Sequence, residues 1–447
     1  MFWNNGLTRR NESRLIVLVL VMLSAMLLPS FEVHPALPNI RVDEVLLFGI
    51  FGFNLLAFMV RGFRFSPDAR EEIQAQQPVL KWVLILLGLL TLSYTISNVY
   101  GVVILGAGYY GLRDVMELVT FFKHFLIITL VLSIDLQRGE FAFLKNVFLG
   151  ALGFLILFGW GQHFNLFNMN TWISPFFNPL HWDTLILGNP ARVLGTFDNP
   201  NVFGIFTVIT LSYLTVHYFF GEHRGRFPWL LFILIGLVIK LEFLTISRTA
   251  LFGIALLFIV LCAWAFVYHQ HSKEVLIKIG ALFLLTMILF TTASGDFFYR
   301  LTEGLNFSNS TSFQGHMDRW GTAVGTMTQS PILGWGTQKY VMTTLVDNEY
   351  ALFSRRYGFV GLAVYLSFFL LPFIKGFIYL RDQRHLLAQG RSFDLPSKLI
   401  AAYVAVLPSI FVYNFMAGIF YNLQLMTLFC ITIGLVYNSL KKQRGLF

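Results

Sequence analysis

Residues 228–268 read PWLLFILIGLVIKLEFLTISRTALFGIALLFIVLCAWAFVY, and only Lys240, Glu242 and Arg248 are charged among them. A membrane span needs about 20 mostly apolar residues. This stretch holds two such runs, at roughly 228–246 and 250–269, with Ser247-Arg248-Thr249-Ala250 as the turn between them. Two apolar runs joined by so short a turn read as adjacent membrane helices. The fold class that follows is all-α, a polytopic membrane protein.

The rest of the chain agrees. Hydrophobic residues make up 56% of the 447 and charged residues 12%, with a mean hydropathy of +0.68. Soluble domains carry about 25% charged residues, so this chain cannot cover a water-facing surface of its size. A cytosolic enzyme, a secreted disulfide scaffold and a disordered chain are excluded. Ten further runs qualify as spans, at roughly 14–30, 43–60, 82–100, 115–134, 144–163, 201–220, 275–294, 357–379, 398–415 and 418–440. The expectation is about 12 transmembrane helices in a single integral membrane domain, 1–447, without an internal repeat or an attached soluble domain. The basic start at Arg9, Arg10 and Arg14 leads into the run Leu15 to Pro29 with no small-residue cleavage site after it, so a first span is expected there rather than a cleaved signal. Cys262 and Cys430 lie inside apolar runs and lack zinc spacing.

A formal charge of +9 invites a nucleic-acid reading, and its distribution removes it. With the N-terminus in the cytoplasm, 21 of the 32 basic residues fall on the cytoplasmic side. That is the positive-inside pattern with both termini inside. Two long loops, at about 163–200 and 295–356, then lie on the outer side. Long loops carry function more often than short ones, so the outer face is the expected working face.

Eleven basic residues remain against that trend. Arg192 precedes the sixth span in Ala191-Arg192-Val193-Leu194-Gly195-Thr196-Phe197-Asp198-Asn199-Pro200-Asn201. Arg248 sits in the turn quoted above, Arg319 in Asp318-Arg319-Trp320-Gly321-Thr322-Ala323, and Arg355 and Arg356 open the tenth span. Arginine at a membrane face is costly unless it is paired or works on an anion. Guanidinium groups bind phosphate oxygens bidentately and stay charged, so one reading is an anion site at the outer membrane–water boundary. The other is local pairing with acids or snorkelling to headgroups. Arg41, Arg113, Arg300 and Lys339 are read as structural, while Lys123 and Lys240 lie within spans, where Glu117 and Glu242 are candidate partners.

Asn199 with Pro200 reads either as a helix cap or, with Asn201, as amides facing a phosphate or sugar at a helix N-terminus. Trp335 in Pro331-Ile332-Leu333-Gly334-Trp335-Gly336 is either a platform for a sugar ring or an interfacial anchor. In Asp347-Asn348-Glu349-Tyr350, Asp347 and Glu349 are candidate bases for an acceptor hydroxyl, or partners of Arg355 and Arg356. Asn348 and Tyr350 are candidate substrate contacts. No P-loop, HExxH or Gly-x-Ser-x-Gly motif is present. His269 and His271 have no companion ligand, and Asp183 and Asp198 are weak candidates, so no metal and no cofactor are expected.

These elements, in this order and with Tyr357-Gly358-Phe359-Val360-Gly361-Leu362 after them, resemble the bacterial O-antigen polymerase and O-antigen ligase superfamily. The resemblance covers about Arg192 to Leu362. It implies a GT-C-type glycosyltransferase that uses an undecaprenyl-pyrophosphate-linked glycan as donor in the outer leaflet of the inner membrane. It implies that Arg248 and Arg319 engage the donor pyrophosphate, without a metal. It also implies that Asp347 stands where ligases carry a His before Asn. Asp-Asn is more like the polymerases, and leaves Asp347 and Glu349 competing as base. The expected activity is polymerisation, with a lipid-linked repeat unit as acceptor, membrane lipid as surroundings and a chain-length-regulating co-polymerase as the protein partner to expect. Transfer to lipid A core by a ligase is the first alternative and a flippase of lipid-linked sugars the second. A shape-and-division peptidoglycan polymerase would need its own acidic loop motif.

Overall fold

The computed structural model describes residues 5–30, 40–60, 67–176, 192–221, 228–268, 273–293, 295–305, 311–342, 346–388 and 392–441. The described residues are 82% helix, and no strand occurs among them. In chain order the helices are α1 Asn5–Leu27, α2 Val42–Val60, α3 Pro67–Val103, α4 Leu112–Leu132, α5 Arg138–His163, the single turn α6 Met169–Ile173, α7 Pro200–Phe220 and α8 Trp229–Thr245. They continue with α9 Arg248–Tyr268, α10 Lys273–Thr291, α11 Gly295–Leu305, α12 Thr311–Met327, α13 Glu349–Ala388, α14 Leu395–Tyr413 and α15 Leu423–Lys441.

Nine helices among the described residues are long and apolar enough to cross a membrane: α3, α4, α5, α7, α9, α10, α13, α14 and α15. The other three expected spans coincide with α1, α2 and α8 and are helical. Helix α8 has 17 residues; at 1.5 Å per residue it is about 26 Å long, short of a hydrocarbon core of about 30 Å. The expected loop 295–356 contains α11, α12 and the start of α13. Phe297 seats α11 in unit 2, its ring 5.2 Å from that of Phe243 and 5.8 Å from that of Phe290. Asp183, His269 and His271 lie outside the described residues, as does the side chain of Arg300.

The chain forms two compact units. Unit 1 comprises Met1–Phe148, Arg319–Pro372 and Leu423–Phe447; unit 2 comprises Leu149–Asp318 and Phe373–Asn422.

In unit 1, α4 packs on α15 and α3, and α1 on α2 and α15. Side chains finish the helix ends that the bilayer cannot hydrate. Asn438 Nδ2 donates to the carbonyls of Val131 and Ile134 at 2.9 and 2.8 Å, closing α4. Arg41 Nη2 reaches the Leu28 carbonyl at 3.2 Å beyond α1. Lys123 does not pair with Glu117: its Nζ lies 3.1 Å from Asp43 and 3.0 Å from Glu44. Arg41 Nε closes this buried network at 2.9 Å from Asp43. Two cations and two anions make it neutral, the condition under which charge persists inside a membrane protein.

In unit 2, α7 is the central helix, packed against α8, α9 and α14. Ser212 donates to the Ala402 carbonyl at 2.6 Å and Ser409 to that of Gly253 at 2.8 Å, tying α14 to α7 and α9. Lys240 does not pair with Glu242. Its Nζ donates to the Thr292 carbonyl at 2.7 Å, while Glu242 accepts from the Thr207 hydroxyl at 2.8 Å.

Candidate functional site

Candidate residues gather in each unit, and each set is built by its own local structure.

In unit 2, Asn199 caps α7: its Oδ1 accepts from the Asn201 amide at 2.7 Å, with Pro200 in the first turn. Ser247 caps α9 in the same way, accepting from the Ala250 amide at 3.4 Å. The two N-termini abut. A Cβ on Gly204, in the second turn of α7, would meet Ala250 Cβ at 2.8 Å and Ser247 Cβ at 3.1 Å. Only glycine lets the helices approach so closely. Arg192 lies across this end, donating through Nε to the Thr245 carbonyl at 2.7 Å and through Nη2 to Asn201 Oδ1 at 2.8 Å. The Arg192 stretch is held from behind by Gln162, whose Oε1 accepts from the Gly195 amide at 2.8 Å while its Nε2 donates to the Gly195 carbonyl at 2.8 Å.

Arg248 is the first residue of α9, whose first turn contains no acid. Among the described residues it makes no hydrogen bond and no ion pair. A cation at the positive end of a helix is disfavoured by about 0.3–1 kcal/mol. An anion placed there would meet a guanidinium and two helix N-termini together.

In unit 1, α13 is broken at Gly358, where φ is 63° and ψ is −169°. The Pro331–Gly336 loop folds onto the break. The Trp335 and Gly336 amides donate to the carbonyls of Arg355 and Arg356, each at 2.8 Å, and the Phe359 amide donates to the Pro331 carbonyl at 2.8 Å. A Cβ on Gly358 would collide with the Ile332 carbonyl. This segment is therefore a packing device for the kink. Trp335 is part-buried, its indole N–H donating to the Thr326 carbonyl at 2.9 Å.

Arg319 and Asp347 form an ion pair, Nη2 to Oδ2 at 2.7 Å, with side chains 36% and 30% exposed. Glu349 is fully buried and accepts from the Tyr365 hydroxyl at 2.7 Å. Asn348 Oδ1 accepts from the Ala351 amide at 3.0 Å and caps α13. Tyr350 is part-exposed on the first turn of α13, and the Arg355 side chain is buried. Of the two candidate acids, Asp347 alone has access to solvent, and it is ion-paired with Arg319.

Arg356 instead meets Glu117, a wholly buried acid in α4, with Nη1 at 3.1 and 3.0 Å from its two oxygens. Lys339 Nζ lies 2.9 Å from the same carboxylate, and the Tyr357 hydroxyl donates to it. One turn earlier, Asp114 Oδ1 accepts from the Lys339 amide at 2.9 Å and lies 2.6 Å from the Thr337 hydroxyl oxygen. Asp114 and Glu117 thus moor the 331–342 loop to α4, a role that the expected pairing of Glu117 with Lys123 missed. Their spacing of three residues, on one face of a mostly apolar helix, was the available signal.

The structure brings Arg192, Asn199, Asn201 and Arg248 to one end of unit 2. In unit 1 it brings Arg319 to Asp347 and stacks the Trp335 loop on Arg355 and Arg356. Among the described residues no group of three or more His, Cys, Asp or Glu is placed to hold a metal. No protein-family model matches the chain, and no curated protein matches it.

Proposed function

We propose that the chain is a polysaccharide polymerase of the bacterial cytoplasmic membrane. It moves a growing glycan from undecaprenyl pyrophosphate onto a new lipid-linked repeat unit at the periplasmic face. In this reading α1, α2 and α8 join the nine longer helices to give twelve spans in a GT-C-type architecture. Both termini are then cytoplasmic, as the distribution of basic residues favours.

The observation that carries the reading is the cationic end of unit 2. Two abutting helix N-termini and an arginine whose side chain has no partner among the described residues suit a pyrophosphate, whose negative charge grows as it departs. Lipid pyrophosphate is also an activated donor that needs no nucleotide outside the cytoplasm. The resemblance of the motif order to that of O-antigen polymerases points the same way.

The chemistry is a single displacement. The acceptor hydroxyl oxygen bonds to the anomeric carbon while the bond from that carbon to the pyrophosphate oxygen breaks. The pyrophosphate leaves with the electron pair, its charge met by Arg248. The hydroxyl proton is taken by a general base; within unit 1 the accessible candidate is Asp347, which Arg319 orients. Glu349 is too deeply buried to receive it.

The test is reconstitution of the purified protein in liposomes with lipid-linked repeat units alone. A ladder of longer products supports the polymerase. Products only after lipid A core is added would make it a ligase, and movement without covalent change would make it a transporter.

A further inference from the structure

Beyond His163, the end of α5, the chain runs through FNLFNMNTWISPF, residues 164–176, which contain no charged side chain. A loop facing water ordinarily turns its polar groups outward. Here Phe167 is 98% exposed and Trp172 77%, with Phe164, Leu166 and Phe176 exposed beside them. Phe167 has φ of 53°, between Asn165 at 46° and Asn168 at 57°. A bulky residue in the left-handed region is an outlier, and the backbone adopts it to hold the ring away from the protein.

Several polar groups of the loop bond to one another or to Gln162, while Asn170 Oδ1 is buried without a partner among the described residues. Asn165 Oδ1 accepts from the Asn170 amide at 3.0 Å, and Asn168 Oδ1 accepts from the Thr171 hydroxyl at 3.0 Å. Asn170 Nδ2 donates to the Gln162 carbonyl at 2.9 Å, and the Ser174 hydroxyl to the Thr171 carbonyl at 3.0 Å. Irregular backbone near hydrocarbon is tolerated when its polar groups are satisfied internally. The aromatic surface also continues that of α5. Phe154, Leu157 and Phe164 are all exposed and spaced three and seven residues apart, which places them on one stripe. Trp160 stacks on Phe164 with ring centroids 5.6 Å apart.

We propose that Phe164–Phe176 is a membrane-dipping loop that binds phospholipid in the leaflet at the His163 end of α5. Phe167 and Trp172 insert below the headgroups. Insertion rewards the exposed rings and the left-handed backbone, neither of which has a benefit in water. The anchor is rigidly tied to its unit, because Gln162 holds Asn170 through its carbonyl and Gly195 through its side chain. The proposal stands whether or not the chain is a glycosyltransferase.

The test uses the full chain with Cys262→Ala and Cys430→Ala, spin-labelled at Phe167→Cys or Trp172→Cys. It is reconstituted in liposomes of phosphatidylethanolamine and phosphatidylglycerol. Labels at Leu157→Cys and Asp382→Cys give the lipid and water references. Both loop labels are expected to match Leu157→Cys, reached by oxygen severalfold better than by a water-soluble nickel chelate. If the cysteine variants do not fold, the chain with its own cysteines is compared with Trp172→Phe in brominated lipid. The unsubstituted chain should lose more of its tryptophan emission. Labels that match Asp382→Cys, or equal quenching of the two chains, would overturn the proposal. So would lipid-like behaviour that appears only when polyprenyl phosphate is added, since the occupant would then be an isoprenoid.

Discussion

Arg319 Nη2 lies 2.7 Å from Asp347 Oδ2, so the two residues that the sequence offered as separate actors are ion-paired in unit 1. The pair is part-exposed, where ion pairs add little to stability. In the proposed reaction the pair orients a carboxylate. Asp347→Ala should leave insertion and thermal stability nearly unchanged and reduce chain elongation at least about 100-fold, the usual contribution of a general base. The exchange Arg319→Asp with Asp347→Arg restores a pair, yet should remain inactive. Elongation assays on membranes with matched protein levels check both.

Arg248 makes no ion pair among the described residues, and its loss should cost no structure. Arg248→Ala is expected to lower elongation on the order of 100- to 1000-fold, as for removal of one charge-stabilising donor. Arg248→Lys should recover part of this, because a point charge replaces a bidentate fork. Inorganic pyrophosphate should inhibit the unsubstituted protein more strongly than Arg248→Ala.

Glu117 is the opposite case, a buried acid that holds Arg356 and Lys339. Glu117→Gln leaves two cations with a neutral partner. Breaking a buried pair costs about 3–5 kcal/mol; with both cations partly hydrated, roughly the lower end applies. A clear drop in melting temperature in detergent should accompany the substitution, and Glu117→Asp should recover part of it.

Gly358→Ala tests the break in α13. A Cβ there would strike the Ile332 carbonyl at a positive φ, and such strain is worth on the order of 1–3 kcal/mol. Gly315→Ala in α12 meets nothing within 4 Å and should be neutral or stabilising by about 0.5–1 kcal/mol. Thermal melts of the two variants should therefore move in different directions.

The helical, membrane-embedded character was legible because apolar runs the length of a bilayer have few other uses. The cap at Asn199 and Pro200 was legible for a similar reason: it is written in neighbouring residues. The division into two units was not, because each unit draws on distant segments of uniform composition. Pairings across more than 200 residues were equally hidden. Glu117 was offered Lys123, six residues away in sequence, and the fold gave it Arg356 and Lys339. Lys123 went to Asp43, which α2 brings to α4. The Pro331–Gly336 motif was visible, while its role in packing a helix break was not, since that depends on Gly358 lying opposite it.

Transfer from a lipid pyrophosphate onto a lipid-linked acceptor is read most directly from the undecaprenyl pyrophosphate released per repeat unit added, by purified protein in liposomes containing EDTA. One is expected to be released per unit joined, in step with the product ladder and lost in Arg248→Ala. Chain growth without release of lipid pyrophosphate, or release and growth undiminished in Arg248→Ala, would contradict it.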